Sequence, residues 1–168
     1  NGTSRSHDYL NAFFYKDGEL VHISHEEGRV VKGEESFSYE FSLKDHLGNV
    51  RVRVRDQNQD SWIDPGKDIL QEEHYYPFGL SMAPLSFQQG TPNRYRYNGK
   101  ELHTELGLGW YDYGARMYEP AVARWNGVDA LVEEFMAWSP YNYTLGNPIR
   151  FIDPDGRSPW KPIGNGQW

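Results

Sequence analysis

Cysteine is absent from the 168 residues, which excludes disulfide frameworks, thiolate metal sites and thiol redox chemistry. Long apolar runs are missing too, so no membrane span is expected. Basic residues are in the minority, 17 Lys and Arg against 24 Asp and Glu, and the net charge is −7. Nucleic-acid binding needs clustered cations on phosphates, so no nucleic-acid partner is expected. There is no initiator Met, residues 1–6 have no targeting character, and the closing SPWKPIGNGQW reads as a linker cut short. The chain is therefore expected to be a piece of a longer protein. Helical periodicity is also scarce. It occurs once, over 131–138 (LVEEFMAW), where a short helix is expected.

What the chain has in quantity is aromatic side chains, 15% of all residues with 12 Tyr and 6 Trp, together with 17 Gly and 10 Pro. Pleated strands accept aromatic residues, and Gly and Pro turn the chain between them. The expected fold is mainly β, built of antiparallel hairpins. Residues 9–15 (YLNAFFY) and 19–24 (ELVHIS) flank an Asp-Gly turn and read as strand, turn, strand. In the next hairpin Phe37, Tyr39, Phe41 and Leu43 alternate with Ser38, Glu40, Ser42 and Lys44, and Val50, Val52 and Val54 alternate with Arg51, Arg53 and Arg55. One apolar face and one wet face are expected, with charge pairing across the wet one. Residues 69–76, 93–97 and 108–118 read as further strands, the last with a bulge at Gly114.

Few residues carry recognisable chemistry. Asn58, Asp60 and Asp64 lie in a turn-rich loop, but they lack the central Gly and closing Glu of a calcium loop. His22 and His25 are three apart on a strand and point to opposite faces. No metal site and no cofactor are expected. The stretch 141–156 (YNYTLGNPIRFIDPDG) delivers a short strand into a tight turn with Asp153, Pro154, Asp155 and Gly156, and RWNGVD upstream supplies Asp129. Two acids brought together in a poorly solvated place share a proton, so one acts as base and the other as acid. The plain alternatives stay open: an ordinary turn at Asp153, and a helix cap at Asp129.

Four ordered blocks, DHLGNVRVRV, EEHYYPFGLSM, RYRYNGKELHTELGLGWYDYGARMYEPAVARW and SPYNYTLGNPIRFIDPDG, resemble the Rhs repeat-associated core domain in its Bacteroidetes-like version. Within the third, Tyr111, Asp112, Arg116 and Tyr118 match a YD-type repeat. The resemblance covers residues 9 to 156. It implies a flexible segment over 1–8, a shell-closing core over 9–156, and a linker over 157–168 toward a C-terminal toxin domain held in cis. Proteins of this kind build a spiralling β-shell around the toxin, and many cut their own chain just beyond the D-P-x-G motif. The resemblance assigns the acids to Asp129 and Asp153, the accompanying arginine to Arg124, and the cut to the bond between Arg157 and Ser158.

Three positions depart from the family pattern: Ala123 stands where Gly precedes Arg124, Ala130 where Pro follows the acid, and Arg157 where Leu follows D-P-x-G. The expected setting is a secreted or surface-displayed bacterial protein whose partners are its own toxin domain and the preceding shell, with exposed strand edges open to self-association. The expected activity is a single-turnover aspartyl autoprotease acting in cis. The competing reading is a non-catalytic binding or structural module that uses an aromatic β-surface.

Overall fold

The computed structural model describes residues 7–34, 36–157 and 161–162. Ser158 lies outside the described residues. Eight strands form one antiparallel meander: β1 (His7–Leu10), β2 (Phe13–Lys16), β3 (Glu19–His25), β4 (Gly28–Lys32), β5 (Phe37–Lys44), β6 (Val50–Val54), β7 (Ile69–Glu72) and β8 (Phe87–Gln88). Each pairs with its neighbour in sequence. The Asp17-Gly18 turn between β2 and β3 has both residues at positive φ, 53° and 83°, the geometry that matches the twist of a tight hairpin. The expected single strand over 9–15 is itself a hairpin, because Asn11 turns the chain at φ 54°. β8 lies in the connection after 82, which the sequence marks only by proline.

The β5–β6 pairing follows the alternation, with Phe41 opposite Val54 and Leu43 opposite Val52. On β5 the expected burial is inverted, while Val50 and Val54 of β6 are buried as expected. Phe37, Tyr39, Phe41 and Leu43 are 54, 61, 45 and 57% exposed, whereas Glu40, Ser42 and Arg53 on the other face are buried. A period of two says which residues share a face, and only the packing of other segments says which face is covered.

A second sheet contains β9 (Glu101–His103), β10 (Trp110–Asp112), β11 (Met117–Glu119) and β12 (Arg124–Trp125), in the order β12-β11-β10-β9. The expected strand over 108–118 is thus a hairpin, turned at Gly114 with φ 94°. Residues 93–97 make only an isolated bridge between Tyr95 and Glu101. The core of this half is aromatic: Tyr97, Tyr111, Tyr113, Tyr118, Trp125 and Tyr143. Buried phenols need acceptors. Tyr118 donates to the Phe78 carbonyl at 2.8 Å and Tyr97 to that of Pro77 at 3.0 Å, while Tyr113 and Tyr143 both reach Asn98 Oδ1.

The apolar period over 131–138 yields only a single 3₁₀ turn, Val132–Glu134, and there is no α-helix among the described residues. Met136 is 85% exposed, so the stripe has no continuous surface to pack on, and a short helix without such a surface does not persist. After Pro148, β13 (Phe151–Ile152) pairs with β14 (Lys161–Pro162), beyond the Asp153 turn.

Candidate functional site

The β10–β11 hairpin aims Arg116 into the protein. Strand register sets Tyr111 opposite Tyr118, both buried, and the Asp112 carboxylate accepts the Gly114 N–H at 2.7 Å to close the turn. Arg116 follows that turn and sits over the Trp125 ring, 4.3 Å from its centroid, which supplies cation–π contact in a desolvated place. Its Nε donates to the Gly156 carbonyl at 2.6 Å. Its Nη2 is 3.0 Å from Asp129 Oδ2 and 3.4 Å from Asp153 Oδ2. One nitrogen thus gathers both sequence-predicted acids, whose oxygens lie no farther apart than those two distances combined.

Each carboxylate is divided between a structural and a free task. Asp129 Oδ1 accepts the Leu131 N–H at 2.9 Å, a local turn bond rather than the expected helix cap, since the 3₁₀ turn that follows has no side-chain cap, while the other oxygen faces Arg116. Asp153 Oδ1 accepts the N–H groups of Asp155 and Gly156 at 3.3 and 2.8 Å, leaving Oδ2 for Arg116. Asp153 is 1% exposed, and burial pushes its carboxyl above the usual range against the opposing pull of those N–H groups and Arg116.

The tail is held carbonyl by carbonyl. Lys100 Nζ donates to Pro154 O at 2.5 Å, the Ala115 N–H to Asp155 O at 3.1 Å, and Arg116 to Gly156 O. Gly156 has φ 75°, and a Cβ there would crowd the Arg116 backbone and Tyr113, so the close approach requires glycine. Beside Asp129 lies a cavity of about 10 Å³, lined by Asn142, Ser139 and Pro140 among others, roughly the space of one water. The buried Asn142 Oδ1 makes no hydrogen bond within the protein.

Among the residues expected at the site, Asp129 and Asp153 converge on Arg116 and Arg124 does not join them. Successive strand residues point to opposite faces; Trp125 packs inward on Arg116, and Arg124 is exposed on the other side. Arg116 occupies the place expected of Arg124. Its signal was present in the YD-type repeat, but its partners lie far downstream and only the fold brings them near. Arg157 is exposed, with its N–H on the Asp155 carboxylate at 3.1 Å. No cluster of His, Asp and Glu suited to a metal ion occurs among the described residues, and no helix among them is long and apolar enough to cross a membrane.

No protein-family model matches the chain. It is 31% identical over 115 residues to Salivary gland surface protein 1 of Aedes aegypti, covering 68% of this chain and 3% of that protein. It is 33% identical over 93 residues to Toxin subunit YenC2 of Yersinia entomophaga, covering 54% of this chain and 9% of that one. The chain therefore spans only a small part of the curated relatives it matches. Among solved structures, TcdB2-TccC3 superposes with a TM-score of 0.67 at 22% identity, over 90% of this chain and 8% of that one, which shows a shared fold. In sequence and in its mainly β architecture, the chain is similar to segments of Rhs-type toxin proteins.

Proposed function

We propose that this chain is the C-terminal core segment of a secreted bacterial polymorphic toxin of the Rhs/YD-repeat type, in the Bacteroidetes-like version. Residues 9–156 close a β-shell, 157–168 lead to a toxin domain in cis, and the chain cuts itself once just beyond Gly156. The observation that carries this reading is the single guanidinium of Arg116, which joins two buried acids and one carbonyl of the tail. An ordinary turn needs no such convergence.

Burial favours the protonated form of Asp153, so it serves as the acid, and Asp129 serves as the base. A water gives its proton to Asp129 as its oxygen attacks the carbonyl carbon. Arg116 stabilises the charge that develops on the carbonyl oxygen. When the C–N bond breaks, the leaving nitrogen takes the proton from Asp153. Tethering holds substrate and acids together, so modest acid–base power suffices for one turnover. Resemblance sets the cut after Arg157, whereas the carbonyl that Arg116 holds belongs to Gly156 and favours the preceding bond.

Intact-mass measurement on the purified chain tests this. Wild type is expected to lose its tail on incubation, while Asp129→Asn and Asp153→Asn stay whole with an unchanged circular-dichroism spectrum. The fragment mass separates the two bonds by one arginine. A mass that stays intact at acidic and neutral pH overturns the protease and leaves shell closure alone. The second reading, a binding module, is favoured by the exposed stack of Tyr39 and Phe41, ring centroids 6.4 Å apart; a glycan array without a saturable ligand removes its glycan form.

A further inference from the structure

On the covered face of the eight-stranded sheet, three guanidinium groups share one carboxylate. Glu40 lies 2.7 Å from Arg29, 3.5 Å from Arg53 and 3.6 Å from Arg55. The strand register brings the first two together, since Glu40 faces Arg29 across β4–β5 and Arg53 comes from the neighbouring β6, with Arg55 just beyond that strand. Three cations against one anion leave two positive charges in excess, in a chain whose overall charge is −7. Arg29 and Arg53 reduce the imbalance by donating to one backbone carbonyl, Thr91 O, at 3.2 and 2.9 Å. That acceptor is a dipole and neutralises neither.

The excess is carried by groups removed from water. The Arg53 side chain is 1% exposed and that of Arg29 9%. Arg53 Nε and Nη1 are buried and make no hydrogen bond within the protein, and neither does His22 Nδ1. Buried cations that share too few anions are costly, because the low-dielectric interior does not replace their lost hydration. The titration behaviour agrees: burial and the Arg29 charge pull Arg53 down to about 10, and burial and Arg29 pull His22 down to about 4, so His22 is neutral at pH 7. Directly against these groups is a cavity of about 360 Å³, bordered by His22, Arg29, Glu40, Arg53, Arg55 and Thr91. Arg55, one-third exposed, stands at its accessible side.

We propose that this cavity binds a phosphate-class dianion, free or as a small monoester. Two negative charges match the two uncompensated positive ones, and guanidinium groups bind phosphate oxygens through paired, charge-assisted N–H bonds. The volume exceeds that of a bare phosphate and leaves space for a small ester. This site is separate from the Arg116 cluster and does not depend on self-cleavage.

Isothermal calorimetry on the chain with Asp153→Asn, which fixes its length, tests the site with inorganic phosphate, glycerol phosphate and malonate, each against sodium chloride at equal ionic strength. Saturable binding of phosphate or its ester is expected, tighter for the ester if the ligand in nature is one. Arg55→Gln, at a partly exposed position that the fold tolerates, is expected to weaken binding by at least about tenfold. Arg150→Gln makes the same change of charge at an exposed arginine outside the cavity lining and is expected to leave binding unchanged. Heats no larger than those of chloride, malonate binding as tight as phosphate, or unaltered binding by Arg55→Gln would each overturn the proposal.

Discussion

Arg116 shows how much one side chain can organise when all three of its nitrogens are engaged, Nη1 by the Pro140 carbonyl at 3.4 Å. Its cation lies between two carboxylates of unequal setting: Asp129 keeps one oxygen at the Leu131 N–H, and Asp153 is sealed from solvent. The consequence for Asp153 is measurable. Its folded-state affinity for a proton exceeds that in the unfolded chain, so the folded protein binds more protons across the window from the ordinary carboxylate range up to the raised value. In that window its contribution to stability falls as pH rises. Urea denaturation across acidic to neutral pH is expected to show this as a downward slope in the stability of wild type relative to Asp153→Asn. A flat difference would mean that Asp153 titrates as it does in water.

Among the elements, the hairpins were legible and their surroundings were not. Asp17-Gly18 states its turn in two residues, and the Val-Arg alternation over 50–55 states its strand. The turn between β11 and β12 is less comfortable. Ala123 has φ 57°, in the left-handed region where an L side chain costs roughly 1–2 kcal/mol. Family resemblance expects Gly at this position, and the backbone gives the reason. Ala123→Gly is expected to stabilise the chain by about 0.5–1 kcal/mol after the greater freedom of glycine in the unfolded state is subtracted. A thermal melt that moves downward would show that the alanine methyl is worth more in packing than its backbone strain. The 131–138 stripe illustrates the opposite failure, since its helical period had no surface to cover.

At the scale of the whole molecule, the eight-stranded sheet turns aromatic residues outward and ionic ones inward. Phe37, Tyr39, Phe41 and Leu43 share this open face with Leu10, Phe13 and Phe87, all of them exposed. A contiguous apolar surface of this kind is suited to being covered, as a segment of a larger β-shell would be. Replacing Phe37, Tyr39 and Phe41 together by Ser is expected to cut fluorescence of a hydrophobic dye severalfold, at a stability cost of about 1 kcal/mol per residue or less, because each is already about half exposed. An unchanged dye signal, or a collapse of the fold, would show that the face is not open as described. Among the described residues, β1 and β8 are the end strands of this sheet, edges to which further strands could be added.

Composition and local order decided that this chain would be a β protein of short hairpins, without thiol chemistry, and the family resemblance marked Asp129 and Asp153 as acids of interest. Those properties belong to neighbouring residues, and turn chemistry and alternation operate over a few positions at a time. The identity of the arginine between the acids, the sealing of Asp153, the side of the sheet that faces water and the gathering of three guanidinium groups on Glu40 were decided only by the tertiary structure. Each depends on contacts between segments that no local pattern connects, and on which surfaces the chain covers when it packs.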